Sequence, residues 1–284
     1  MRKKLPYYLV GIACLAVFLF SGHKLANYYL SAYQEESLYQ DLNQQVQDAQ
    51  QAAKDEANNQ TGNEDGSDSG DEDSTVELPL YAESGRLYRY DALYLQNNDL
   101  VGWIYVPGTD NGYPVMQTPD DEEYYLRKNF YRKKSSGGTP FLDKDSDLED
   151  PASRVMVYGH NLKSGGMFTP FTKYTKASHW KKHPTFTFDT LYESRTYRIL
   201  AVVQVDINGS DHFAYYAYDR FSSAASFNGF VQEAKDASLY DTGVTAEYGQ
   251  QIMIISTCSY HVDGDGGRLA IIAVQEPAES TPAQ

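Results

Sequence analysis

The sequence predicts a mainly β fold, a barrel or a sandwich, with few helices. Two observations point there. Short runs rich in Val, Ile, Thr, Tyr and Phe recur from about residue 100 to residue 275, and clusters of Gly and Pro separate them. Helical periodicity is confined to a handful of stretches, so most of the chain is left to strands and turns.

The chain opens with Arg2, Lys3 and Lys4, followed by an apolar run from Leu5 to Phe20. The run is a little short of the ~20 residues of a typical spanning helix, and Tyr7 and Tyr8 suit a membrane interface. The basic flank predicts a cytoplasmic N-terminus with the rest of the chain outside. No small-x-small cleavage site lies between Phe20 and Tyr28, which favours a retained single-pass anchor over residues 1–30 against a cleaved signal peptide.

Residues 31–77 are expected to form an acidic stalk and linker. Leu38, Leu42, Val46, Ala49 and Ala53 repeat at helical spacing in a Gln-rich stretch. Asn58 to Thr75 is nearly devoid of apolar residues and cannot offset its ordering entropy by burial. Thirteen Asp or Glu and a single Lys lie between Ser31 and Leu80, so this segment holds most of the formal charge of −15. The remainder is nearly neutral and has no basic stripe, which excludes a nucleic-acid partner on electrostatic grounds.

Residues 78–276 are expected to form the folded domain, and 277–284 a disordered tail. Tyr81 to Gln96 reads as a helix. Strands are predicted at Val101–Val106, Tyr113–Gln117, Arg154–Tyr158, Thr185–Phe188, Tyr197–Val205, Gln251–Ser256 and Leu269–Val274. Phe221 to Ala237 reads as a helix inserted between two late strands.

Three side chains carry candidate chemistry. Ile252-Met-Ile-Ile-Ser-Thr-Cys258 is an apolar strand ending on a thiol. The chain has one other cysteine, Cys14, in the N-terminal apolar run, so a disulfide framework is excluded. Taken alone, a free Cys is more often a buried small hydrophobe. Val155-Met-Val-Tyr-Gly-His160 is a second apolar strand leading to an imidazole, the usual proton acceptor beside a nucleophilic thiol. Arg268 opens the strand after Cys258, and an antiparallel turn there would bring its guanidinium to the thiol, where it can hold an oxyanion.

These strings resemble the sortases, and among them class B. The resemblance rests on Tyr158-Gly-His160-Asn161, on Ser256-Thr-Cys258 and on Arg268. It continues through Asp99-Leu-Val-Gly-Trp-Ile-Tyr-Val-Pro-Gly108, Tyr113-Pro-Val-Met-Gln117, Tyr124-Tyr-Leu126, Gly138-Thr-Pro-Phe-Leu-Asp143 and Gly166-Met-Phe168. It implies a closed eight-stranded β-barrel with an N-terminal helix and the inserted late helix.

The resemblance also implies a cysteine transpeptidase on a Gram-positive type of cell surface. Cys258 would attack the carbonyl of a Thr in the C-terminal sorting signal of a secreted protein and form a thioester. His160 would move the protons and Arg268 would stabilise the developing charge. The acceptor would be an amine of peptidoglycan or a pilin Lys. Ser256, Tyr215 and Tyr218 are candidate substrate-binding residues, with Tyr216 beside them. The implied chemistry needs no cofactor and no metal. A hydrolytic cysteine protease and a non-enzymatic surface binding module are the alternatives.

Two metal-like patterns read otherwise. Asp143, Asp145 and Asp147 alternate as in a calcium loop, but Leu148 and Arg154 stand where such a loop needs Gly and Glu. His179 and His183 are four apart with Lys181 and Lys182 between them and read as surface residues.

Overall fold

A computed structural model describes residues 5–61, 81–210, 212–262 and 264–277. Eight strands close into a barrel: β1 Leu100–Tyr105, β2 Gly112–Met116, β3 Phe141–Leu142, β4 Arg154–Tyr158, β5 Thr185–Thr190, β6 Ser194–Asp206, β7 Ile252–Cys258 and β8 Gly267–Gln275. Around the barrel they run β1-β2-β3-β4-β7-β8-β6-β5, so β1 meets β5 and no edge is left open. Among the described residues four α-helices accompany them: α1 Leu5–Thr61, α2 Tyr88–Gln96, α3 Ala177–Trp180 and α4 Ala224–Asp236. The predicted helix from Tyr81 starts later, because Tyr81 and Leu87 form a β-bridge and turn the chain first. The two-residue strand β3 has no counterpart among the sequence-predicted strands.

The strands β4, β7 and β8 read as unbroken apolar runs because both of their faces are buried. On β7, Met253 and Ile255 point into the barrel core, while Ile252 and Ile254 belong to a second core beneath α4. On β8, Leu269, Ile271 and Ala273 point inward, and Ala270, Ile272 and Val274 point toward α4. Strand β6 starts with Tyr197 and Ile199 inside, and a register shift between Ile199 and Ala201 then puts Val202 inside. Such a bulge adds one residue, and here it re-phases the alternation so that the outer face can continue under α4. Helix α4 presents Phe227, Phe230 and Ala234 to this face, and its first turn is capped by the Ser223 hydroxyl, which accepts from Ser226 N at 3.2 Å.

Helix α1 departs from expectation. Its periodic face is docked rather than solvated. Tyr39, Leu42 and Val46 join the barrel core, and Ala53 is buried as well. Asn43 pairs with the backbone of Gly112 in both directions, donating to its carbonyl at 2.8 Å and accepting from its N–H at 2.9 Å. The segment expected as a free stalk is therefore, over this length, a wall of the folded unit. Most of the acidic Asn58–Thr75 stretch and the 278–284 tail lie outside the described residues.

Upstream, Ile12, Leu15, Val17, Phe18, Leu19 and Phe20 are all exposed. Among the described residues no helix is long and apolar enough to cross a membrane. The expected single-pass anchor over residues 1–30 is thus not supported by the described residues.

Candidate active site

The two outer-face residues that follow Ile254 on β7 are Ser256 and Cys258, since alternate residues of a strand share a face. In the antiparallel β7–β8 pair, Cys258 stands directly opposite Arg268. Opposed residues in such a pair project to the same side with Cβ atoms about 5 Å apart. The turn between them, Ser259 to Gly266, is closed by Ser259 N donating to the Gly267 carbonyl at 2.9 Å. The Arg268 guanidinium is steadied by its own loop. Its Nη1 donates to the carbonyls of Asp265 at 2.6 Å and Gly267 at 3.0 Å.

His160 reaches the same place from β4. This strand runs parallel to β7, with Tyr158 aligned with Ser256. Beyond the strand end, three bonds keep the two chains together. Gly159 N donates to the Ser256 carbonyl at 3.2 Å, the Thr257 hydroxyl donates to the Gly159 carbonyl at 2.7 Å, and the Asn161 amide donates to the Cys258 carbonyl at 3.0 Å. Both neighbours of His160 are thus tied to the residues around the thiol. Gly159 is required at its position, because a Cβ there would collide with the ring of buried Phe168.

The imidazole is half-buried, and its Nε2–H donates to the Leu126 carbonyl at 2.9 Å. A carbonyl can only accept, so this bond puts the proton of a neutral ring on Nε2 and leaves Nδ1 available as a base. Among the described residues Nδ1 has no hydrogen-bond partner. Burial lowers the His160 pKa below its ordinary value, with the Arg127 guanidinium acting in the same direction. The Leu126 bond and the Glu35 carboxylate oppose the shift without reversing it. At neutral pH the ring is accordingly neutral.

His160, Cys258 and Arg268 line one cleft of about 470 Å³. Leu126, Thr139, Phe141, Tyr158, Tyr215 and Tyr216 also line it. Ser256 lies within it, buried, sharing a 2.9 Å hydrogen bond with the buried Tyr215 hydroxyl. Burial raises the Tyr215 pKa, so the phenol stays protonated.

Tyr218 is not brought to the cleft. Its ring packs between Phe221 and Phe230, and its hydroxyl donates to Glu233 on α4 at 3.2 Å. The 3-10 turn Tyr215–Ala217 ends at Tyr218, whose backbone is extended. Tyr216 lines the cleft instead.

Sequence reasoning missed Glu122 and Glu123 at the rim, where burial raises the Glu122 pKa with the Asp143 carboxylate adding to it. It also assigned no role to Asn161 or to the Leu126 carbonyl. The Asp143–Asp147 segment is a turn in which Asp143 accepts from Asp145 N at 3.0 Å and from the Tyr158 hydroxyl at 3.3 Å. The rings of His179 and His183 pack against each other at 4.8 Å, away from the cleft.

A thiol, a neutral imidazole and a guanidinium in one cleft can support acyl transfer through a thioester, with proton exchange at the ring and charge stabilisation at the cation. Comparison with known proteins agrees with this chemistry. The chain is 30% identical over 175 residues to sortase B of Listeria monocytogenes, covering 62% of this chain and 69% of that protein. It is 23% identical over 273 residues to sortase B of Staphylococcus aureus, covering 96% and 98%. The crystal structure of the S. aureus sortase B–substrate complex superposes with a TM-score of 0.66 at 22% identity, covering 88% of this chain and 99% of that one, and so shares the fold. No family model matches the chain.

Proposed function

Because the chain belongs to the sortase B family, we propose that Cys258 is the nucleophile of a sortase cysteine transpeptidase, with His160 as its acid and base and Arg268 as its oxyanion partner. The observation that carries this reading is the direct opposition of Cys258 and Arg268, with both neighbours of His160 bonded to the same strand end.

In this reading the substrate is a secreted protein with a C-terminal sorting signal. The staphylococcal relative has been captured with a substrate. His160 Nδ1 takes the thiol proton as Cys258 Sγ attacks the carbonyl of a Thr. The oxyanion that forms is met by the Arg268 guanidinium. Collapse expels the amine on the far side of the Thr, which leaves with the proton from His160, and a thioester remains. An incoming amine then attacks the thioester and gives its proton to His160. Expulsion of the sulfur, reprotonated by His160, joins the Thr to the new amine. The acceptor class is a peptidoglycan amine or a pilin Lys. Ser256 and Tyr215, bonded to each other at the cleft wall, are the residues that would contact the substrate backbone.

Location belongs to the same reading. The exposed apolar side chains of Ile12 to Phe20 fit contact with lipid, and the preceding Arg2, Lys3 and Lys4 favour a cytoplasmic N-terminus with the catalytic domain outside.

The test uses the full chain in detergent micelles with sorting-signal peptides, with and without an amine acceptor. A thioester adduct should be trapped on Cys258, and the joined product should increase with acceptor. Hydrolysis alone at every acceptor concentration would indicate a protease. No adduct, with Cys258→Ala behaving as wild type, would indicate a binding module.

A further inference from the structure

Helix α1 touches the loops that hold His160, although none of its described residues lines the cleft. The Glu35 carboxylate accepts from the Ser135 hydroxyl at 2.8 Å, from Ser136 N at 2.8 Å, from the Ser136 hydroxyl at 3.2 Å and from Gly137 N at 3.3 Å. One turn later the Tyr39 hydroxyl donates to the Gly138 carbonyl at 2.5 Å and lies 3.0 Å from the Thr139 hydroxyl. One face of α1 therefore fixes five consecutive residues, 135 to 139.

Those five residues in turn fix the chain that carries the Leu126 carbonyl. Ser135 N donates to the Arg127 carbonyl at 2.9 Å, and Thr139 N donates to the Tyr125 carbonyl at 3.0 Å. Gly138 has φ +60°, and a Cβ there would sit 2.6 Å from the Leu126 oxygen, so the loop backbone lies directly against the acceptor of His160. On the other side, Glu36 and Leu162 line a small gap with Glu35, beside the segment that follows His160. A carboxylate is well suited to gather four donors, because hydrogen bonds to a charged acceptor are stronger than neutral ones.

We propose that Glu35 is a positioning residue for His160, acting through the Ser135–Thr139 loop and the Leu126 carbonyl. The proposal rests on the catalytic reading of His160 given above. It assigns α1 a task at the active site: orienting the ring and holding the proton on Nε2. The charged groups that face the ring from the packed elements are Glu35 on α1 and Arg127 in the segment carrying Leu126.

Two readouts on the full chain in micelles test it: the tautomer and ring nitrogen shifts of His160 by NMR, and kcat separated from KM with a sorting peptide and an amine acceptor. Glu35→Ala is expected to lower kcat about tenfold with KM nearly unchanged, since small misplacement of a catalytic group is costly, and to disturb the Nε2–H signal. Glu35→Gln keeps an acceptor oxygen and should restore most of both. Leu42→Ala loosens the same helix without touching the loop. It should lower the melting temperature yet leave the His160 spectrum in place. Should Glu35→Ala fail to fold, Tyr39→Phe, which loses only the hydroxyl on Gly138, should move both readouts the same way.

An unchanged His160 spectrum and kcat in the Glu35 and Tyr39 variants would overturn the proposal. Equal losses in Glu35→Gln, Glu35→Ala and Leu42→Ala would also overturn it and reduce the helix to a structural support. A wild-type chain without turnover would count against the transpeptidase reading, while the His160 spectrum would still decide the positioning role.

Discussion

The Asn161 side-chain amide donates to the Cys258 carbonyl across 3.0 Å, joining the residue after the imidazole to the residue that carries the thiol, 97 positions away. In the proposed mechanism this bond helps to hold the distance over which His160 and Cys258 exchange a proton. Asn161→Ala is expected to cost about 1 kcal/mol of stability, the net worth of one such bond. The expected loss in kcat is larger, on the order of tenfold, because the loop bearing His160 is freed. Urea denaturation and steady-state kinetics on one preparation separate the two effects.

The Arg268 fork is held by two carbonyls of its own loop and opposes Cys258 in register. A lysine keeps the charge but cannot reproduce a planar set of donors. Arg268→Lys should therefore fold normally and lose about 10²-fold in kcat, as when one oxyanion donor is removed. Alkylation of Cys258 by a small reagent should persist in the variant, showing that the thiol itself is intact.

Burial holds His160 below its ordinary pKa, which has a consequence for stability. Between the lowered folded value and the ordinary one, the unfolded chain binds a proton that the folded chain does not. Stability contributed at this site should then fall as pH drops through that window and be constant above it. His179 is lowered too and adds to the total, so the comparison must be with His160→Gln. The difference between wild type and variant in the urea midpoint should vary with pH below about 6.5 and be flat above it.

Ser256 and Tyr215 satisfy each other in a buried wall of the cleft. Tyr215→Phe or Ser256→Ala alone leaves one hydroxyl unpaired, at an expected cost of about 1–3 kcal/mol. The double variant should cost less than the sum, with a coupling on the order of 1 kcal/mol. Additive losses would show that the two hydroxyls do not depend on each other.

Leu42 on α1 is fully buried against the barrel core. Leu42→Ala should destabilise the domain by about 2–4 kcal/mol. A chain beginning at residue 78 should likewise be less stable than one that keeps α1, as a thermal melt of the two would show.

Much of the site was legible because the strands that bear it are buried on both faces. β4 and β7 therefore appear in the sequence as apolar runs that stop at Tyr158 and Cys258. The opposition of Cys258 and Arg268 was legible from their spacing, since a short turn between antiparallel strands allows few registers. The docking of α1 was not, because periodicity shows that a helix has an apolar face without showing what covers it. The Leu126 acceptor was hidden for another reason: a backbone carbonyl leaves no mark in residue identity. The packing of Tyr218 against Phe221 and Phe230 was not legible, because adjacency in sequence does not say which neighbouring element a ring will meet. The strand β3 was too short to carry a period.

The parallel pairing of β4 with β7 has a consequence in time. Between those neighbours the chain makes α3, β5, β6 and α4, so the His160 imidazole is synthesised long before the Cys258 thiol. Contacts between distant residues form late and slowly, after the intervening loop has been closed. A chain emerging from its N-terminus cannot assemble the cleft until β7 and β8 have followed. Up to that moment it carries a histidine without a thiol, then a thiol without its guanidinium. With the proposed roles, activity would arrive only with the last strand, and a prematurely terminated chain would be chemically silent.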